Sequence, residues 1–231
     1  MPVPKQSPIV NSLLAALPRM QYQRLASGLE PVALIFGEVL YEPGETISHV
    51  YFPDQSLVSL LTLVDGRSAL EIGMVGREGM VGTALALGVD VSPVRALVQG
   101  AGAAMRMKAA RFLKEFRRSA PLQLALYRYT HTLMAQVAQT AACNRFHVVQ
   151  ERLARWLLMT RDRIQSNDIH LTQEFLSHML GVRREGVTTA AGQLQKRKLI
   201  EYNRGRIKIV NQRGLEAASC SCYQIVRDIA S

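Results

Sequence analysis

The stretch Leu171–Val210 constrains the chain more than any other. Thr172 is suited to cap a helix, and Glu174 falls in the first turn, where the helix dipole favours an acid. That helix runs to Leu180, and Gly181 supplies the left-handed residue that stops it. A second helix is expected from about Arg183 to Arg197. Leu176 and Leu180 face inward, Ser177 is small where two helices must cross closely, and Val182 plugs the core beneath the turn. Val187, Ala190 and Leu194 recur at helical spacing as the inner face of the second helix. Two helices joined by a short glycine-containing turn, the second projecting its outer face, make a helix-turn-helix. Leu199–Tyr202 and Ile207–Val210 then follow as β-prone runs around the basic turn Asn203-Arg204-Gly205-Arg206, which adds a wing.

The charge concentrates in the same place. The 231 residues hold 28 Lys and Arg against 18 Asp and Glu, a net charge of +10, and only Glu185 and Glu201 offset the basic residues between 183 and 213. An excess gathered in one short stretch is the footprint of a polyanionic partner. Arg183, Arg184, Glu185, Thr188 and Thr189 occupy the outward N-terminal surface of the second helix. An arginine can grip guanine O6 and N7 through two hydrogen bonds and a glutamate can accept from cytosine N4, each contact worth about 1–3 kcal/mol of discrimination. Lys196, with Arg197 and Lys198, and the wing residues Arg204 and Arg206 suit the phosphate backbone. Thr172 is grouped with these as a candidate DNA contact. Gly186 either permits close approach to DNA or is simply tolerated near the helix start.

Upstream, Asn11–Leu17 and Gln21–Leu29 read as short helices separated by Pro18. From Pro31 to about Met107, short apolar runs alternate with turn signals, the texture of an antiparallel sandwich or barrel, and Asp65-Gly66 marks a hairpin. Lys108–Arg118 returns to helical spacing. A longer helix begins near Pro121, with Leu122, Leu126, Tyr129, Leu133 and Val137 spaced near 3.5 residues among small neighbours. About 25 residues would make a rod of nearly 40 Å, too long to bury its stripe on a small sandwich alone. The stripe is therefore read as a dimer seam; the competing reading packs it on the chain's own sheet. Val149–Ile164 forms a separate amphipathic helix with Leu153, Trp156, Leu157 and Thr160 on one face, so Phe146–Val148 is the joint. The expected division is a sensor domain over 1–118, a dimerisation helix and hinge over 119–148, and a DNA-binding domain over 149–231.

Together these parts resemble the Crp/Fnr family of bacterial transcription regulators over nearly the whole chain. The resemblance is sharpest at Arg152-Leu153-Ala154-Arg155-Trp156-Leu157-Leu158 and from Leu171 through Ile200, which contains Leu180-Gly181-Val182-Arg183-Arg184-Glu185. It implies an α+β fold: an N-terminal antiparallel β-roll or jelly-roll of the cyclic-nucleotide-binding type, a long dimerisation helix and a C-terminal winged helix-turn-helix. It also implies a homodimer on a near-palindromic duplex operator, with RNA polymerase as a further partner. The family's base-reading arginine and glutamate fall on Arg184 and Glu185. A second family arginine, four residues beyond the glutamate, is Thr189 here, so a different base preference is expected. The Ser or Thr that usually caps this helix is Arg183.

Members that bind cyclic nucleotides hold the ribose with a Gly-Glu segment and the phosphate with an Arg-Ser/Thr-Ala segment. The corresponding stretches here are Gly76-Arg77-Glu78-Gly79 and Pro93-Val94-Arg95-Ala96. Arg77 stands where the ribose glutamate belongs, and the phosphate arginine is missing or shifted by one. The sensor is therefore read as degenerate, with Arg77, Glu78 and Arg95 as candidate effector contacts. Oxygen-sensing members carry an N-terminal cysteine cluster; no cysteine precedes Cys143, so that iron–sulfur cofactor is not expected.

Cys143 and His147 lie one helical turn apart, and Cys220 and Cys222 form a Cys-x-Cys. Packing at the joint accounts for the first pair, and two ligands alone do not complete a tetrahedral site, so no metal site is expected. His49, His131, His170 and His178 show no ligand spacing. With neither a nucleophile motif nor a phosphate loop, no enzymatic activity is expected; a metal-dependent sandwich enzyme would need clustered histidines on strands, and that region holds only His49. The alternative function is a ligand-binding module that acts mainly through protein contact, its basic wing incidental. Three cysteines are too few for a disulfide framework and favour a reducing cytoplasm. Apolar runs such as Val32–Phe36 fall far short of the roughly 20 residues of a membrane span. Pro8, Asn11 and Ser12 interrupt any secretory signal.

Overall fold

A computed structural model describes residues 10–64 and 68–230. Two short helices, α1 (Ser12–Ala15) and α2 (Arg19–Ala26), precede the strands β1 (Glu30–Leu34), β2 (Val39–Tyr41), β3 (His49–Pro53), β4 (Leu57–Val64), β5 (Ser68–Val75), β6 (Arg95–Gly100) and β7 (Gly102–Lys108). All pairings are antiparallel, in two sheets of order β1-β7-β3 and β2-β6-β4-β5. The inner faces of both sheets close over Phe52, Val58, Val75, Met80 and Val98, each fully buried or nearly so. The Asp65-Gly66 hairpin signal lies outside the described residues, although β4 and β5 on either side of it pair antiparallel, with a register shift between Leu60 and Leu61.

The helix α3 (Ala109–Arg118) leads into α4 (Ala120–Phe146), which begins with Pro121 in its first turn and with the Ser119 hydroxyl accepting from the Leu122 N–H. Pro121 has no N–H to lose there, so the helix starts without a broken bond. Its 27 residues span about 40 Å. The chain turns at His147 and Val148, both in extended conformation, and continues as α5 (Val149–Ile164). The break between the two helices therefore lies within 146–148.

The dimer-seam reading of Leu122, Leu126, Tyr129, Leu133 and Val137 is corrected. Leu122, Leu126 and Tyr129 belong to the β-roll core, Leu133 is buried as well, and Val137 is half-buried. This face of α4 lies on β5 and on the turn after it. Tyr129 fills the space above Gly79, where a Cβ would come within 2.0 Å of its ring, and Leu133, Gln136 and Val137 cover Gly73. Gln136 reaches the Met74 backbone, accepting its N–H at 2.8 Å. Glycines on the sheet let the rod lie close enough to bury its stripe within one chain.

The C-terminal unit consists of α5, then α6 (Gln173–Leu180) and α7 (Arg184–Lys196), a three-stranded sheet of order β8-β10-β9, and two closing helices. The strands are β8 (Asp168–His170), β9 (Ile200–Asn203) and β10 (Arg206–Ile209), and the helices are α8 (Gln212–Ala218) and α9 (Cys222–Ala230). Its core gathers Trp156, Leu157, Leu176, Val187, Leu194, Ile207 and Leu215, and it continues into Leu57, Leu61 and Met74 of the β-roll. At that shared boundary the Trp156 indole N–H donates to Glu71 at 2.8 Å, and Arg163 pairs with Glu78 at 2.8 Å. α9 returns to pack along α4.

Candidate nucleic-acid interface

α6 is capped by Thr172, whose hydroxyl accepts from the Phe175 N–H at 3.1 Å, and it ends at Gly181 with φ +59° and ψ +42°. That left-handed residue has a second constraint: a Cβ there would stand 2.6 Å from Leu70 of β5. Glycine meets both the turn and the contact without strain. Ser177 is buried where α6 meets α7, and Val187, Ala190, Ala191 and Leu194 form the buried face of α7. The inward positions follow the sequence spacing.

The outward positions of α7 do too. Arg183, Arg184, Glu185, Thr188, Thr189 and Lys196 are all exposed. Gln173, which the sequence analysis did not single out, organises them: its Oε1 accepts from Arg184 Nε at 3.5 Å and from the Thr188 hydroxyl at 3.1 Å. A glutamine one residue past a helix cap reads as ordinary surface, so nothing in the sequence marked it. Arg184 shares a cleft of about 320 Å³ with Thr172, Gln173, Tyr202, Arg204 and Gly205. Two guanidinium groups and a half-buried tyrosine thus line the space between the recognition helix and the wing.

The wing turns at Asn203–Arg206, with Arg204 at φ +45° and Gly205 at φ +82°. Consecutive left-handed residues match a type I′ hairpin and drive Arg204 outward at the tip. Arg206 differs from expectation: it forms an ion pair with Asp168 of β8 at 2.8 Å, both its Nε and its terminal nitrogen donating to Asp168 Oδ1. Its charge is partly neutralised, so Arg204 is the stronger phosphate candidate. Three residues with one apolar side chain carry no periodicity, so the sequence gives no sign of the strand β8. Gly186 has open space at its Cβ position, with the nearest atom, on Val182, at 3.9 Å. Packing of the isolated chain therefore does not demand a glycine there.

Arg183 sits at the cap position of α7 and makes no side-chain capping bond. The first N–H groups of the recognition helix lack a partner from that side chain. An Arg183→Ser variant is expected to raise stability by about 1 kcal/mol, measurable as a higher denaturant midpoint at unchanged slope.

The candidate effector residues do not converge. Arg77 faces clefts between the β-roll and α5, Glu78 is held by Arg163, and Arg95 pairs with Glu42 at 2.8 Å. None of the three lines the cavity inside the β-roll, a space of about 410 Å³ bounded by β4, β5, the 3-10 turn Thr83–Leu87 and α4. That part of the expectation is corrected: each charged group has an ion-pair partner or faces another cleft.

A comparison with protein families matches residues 151–218 to the Crp-like helix-turn-helix domain. Among solved structures, the chain resembles FixK2 from Bradyrhizobium japonicum at 15% identity, over 83% of this chain and 98% of that one, with a TM-score of 0.69. It resembles the c-di-GMP-responsive global regulator CLP of Xanthomonas campestris at 16% identity, over 83% and 99%, with a TM-score of 0.68. A CRP-family transcriptional regulator of Thermus thermophilus matches at 18% identity, over 81% and 96%, with a TM-score of 0.68. No curated protein matches in sequence. Residues 151–218 therefore form a Crp-like helix-turn-helix domain, and the chain shares the fold of these regulators along most of its length.

Proposed function

We propose that the protein acts as a homodimer on a near-palindromic operator, reading bases with Arg184 and Glu185 and holding phosphates with Arg204 and Lys196. The observation that carries this reading is a third face of α4. Leu124, Tyr127, His131, Met134, Ala138, Ala141 and Arg145 are all exposed and follow each other at steps of three and four. That is a heptad seam, the spacing by which two helices supercoil, and its side chains stay exposed among the described residues. A second copy seated there sets two recognition helices about a twofold axis, as a near-palindrome requires. RNA polymerase is the expected partner in transcription, and three free thiols suit a reducing cytoplasm. No helix among the described residues is long and apolar enough to cross a membrane.

Arg184→Ala is expected to relax preference at one base pair per half-site, at a cost of about 1–3 kcal/mol each. Arg204→Ala should instead weaken all sequences alike and reduce the salt slope. Selection from a random duplex pool, read beside a salt titration, separates the two. An unchanged operator preference in the Arg184 variant defeats the base-reading assignment.

The β-roll cavity supports a sensor for an uncharged effector. Among the described residues no Asp, Glu, Lys or Arg lines it, whereas Tyr41, Ile47, Met80, Leu133 and Met134 do. Two hydroxyls on its wall, Tyr41 Oη and Thr130 Oγ1, are buried without a hydrogen-bond partner. A compact apolar molecule with one or two polar atoms satisfies them; a cyclic phosphate would find no cation. Met134 and Ala138 belong both to this wall and to the exposed seam, so an occupant of the cavity touches the dimer face directly. Calorimetric titration with cyclic AMP is expected to show no binding. Saturable binding that is lost when Val94→Trp fills the cavity overturns this reading.

A further inference from the structure

Four side chains with metal-ligating atoms meet at the hinge. Cys143 and His147 stand at the end of α4, and Cys220 and Cys222 flank the corner between α8 and α9. Their ligand atoms all lie within 4.8 Å of one another. Cys143 Sγ is 3.5 Å from Cys220 Sγ, and Cys222 Sγ is 3.5 Å from His147 Nδ1, although each pair is more than seventy positions apart in sequence. Zn²⁺ held tetrahedrally at about 2.3 Å from sulfur and 2.0–2.1 Å from nitrogen needs ligand edges of roughly 3.4–3.8 Å. The two measured edges fall in that range, and the longest must contract by about 1 Å.

The surroundings favour an anionic centre. The three cysteines form a small buried cluster of their own, and all are free thiols. Gln139 Nε2 donates to Cys222 Sγ at 3.0 Å, which fixes that ligand from one turn below Cys143. Arg152 and Arg155 lie within electrostatic reach of Cys143. They are only 7% and 5% exposed, each has a buried Nε without a partner, and neither forms an ion pair among the described residues. Buried cations without an opposite charge are costly. Three thiolates and one imidazole around Zn²⁺ carry a net charge of −1, which supplies a counter-charge for Arg152 and adds to the Glu71 carboxyl that Arg155 already faces. All four ligands also lie outside residues 151–218, the part matched to the helix-turn-helix domain.

We propose that Cys143, His147, Cys220 and Cys222 form a structural Cys₃His zinc site that ties the end of the long helix to the last corner of the DNA-binding unit. The set has four protein ligands and leaves no open position, so its role is mechanical rather than catalytic. An iron–sulfur cluster would need its sulfurs spread around several core atoms, and the close Cys143–Cys220 pair does not provide that. The metal fixes the angle between α4 and the helix-turn-helix by joining the chain on either side of His147 to α9. This inference rests on side chains within one chain and stands independently of the dimer.

Full-length protein purified with a reductant and no chelator is expected to contain about one zinc per chain by elemental mass spectrometry. Replacement with Co²⁺ should give the intense visible ligand-field bands of a tetrahedral site and thiolate-to-metal charge transfer in the near ultraviolet. His147→Ala, at a half-buried position, should lose those bands, and Gln139→Ala should weaken Zn²⁺ binding by about 10-fold or more. Because the Co²⁺ spectrum is read on the unmodified chain, a misfolded variant does not obscure the answer. Three results overturn the proposal: a chain free of zinc that gives no tetrahedral Co²⁺ spectrum, stoichiometric iron with sulfide, or a Cys143–Cys220 disulfide in the freshly reduced protein.

Discussion

A glutamate in place of Met134 is expected to turn the protein into a monomer and to lower operator affinity by about 10²–10⁴-fold. Met134 is 66% exposed in the single chain and sits mid-seam, where two copies would bring like charges together. The fold of each chain should survive, since the side chain leaves no hole. Leu133→Glu, one residue away, should behave differently: Leu133 is buried against the β-roll, and a charge there should unfold the sensor. Ala141→Glu serves as a control on the same seam but away from the β-roll cavity. Sedimentation and circular dichroism distinguish the outcomes. A Met134→Glu protein that stays dimeric rules out this face as the seam.

Trp156→Ala is expected to cost about 3–5 kcal/mol and to lower Tm by roughly 6–20 °C. Trp156 is almost fully buried between α5 and the β-roll, so its loss empties the core that the two units share. It also strips Glu71 of its indole donor, leaving Ser59 Oγ at 2.6 Å as the remaining contact with a side-chain hydroxyl. Burial pushes the Glu71 carboxyl up to about 7, against the pull of Ser59, Trp156 and the nearby Arg155 and Arg163 charges. A carboxyl raised in the folded state favours folding while it stays protonated. Its contribution is full below about pH 4.5 and is lost as pH rises through about 7. The whole swing is about 3 kcal/mol, at about 1.4 kcal/mol for each pH unit. Glu71→Gln keeps an acceptor for Trp156 without the charge. It should flatten the pH dependence of thermal unfolding between about pH 5 and 8 and raise Tm at the alkaline end. An unchanged slope shows that Glu71 is not the titrating group.

The helix-turn-helix was legible because its demands are local. Gly181, the Thr172 cap and the spacing of Val187, Ala190 and Leu194 are set by contacts within a few turns, and the structure places each as read. The long helix was legible as a helix but not in its facing. Leu122–Leu126–Tyr129–Leu133 and Leu124–Tyr127–Met134 are both apolar series at helical spacing, and only the glycines of β5 and its turn, across the fold, decide which one the sheet takes. The effector residues went astray because Arg77, Glu78 and Arg95 answer to partners remote in sequence: a cleft beside α5, Arg163 and Glu42. The cysteine–histidine group was legible only as two separate pairs, since neither completes a ligand set until α9 folds back on α4.

The three stripes of α4 give that helix a mechanical character. One stripe is held by the β-roll, a second by α9, and the third is exposed, so the helix resembles a camshaft with lobes at three angles. It cannot rotate to suit one neighbour without disturbing the other. A small push from the cavity wall at Met134 or Ala138 therefore reaches the exposed stripe and the C-terminal corner together, as one rigid motion rather than a relay of separate steps.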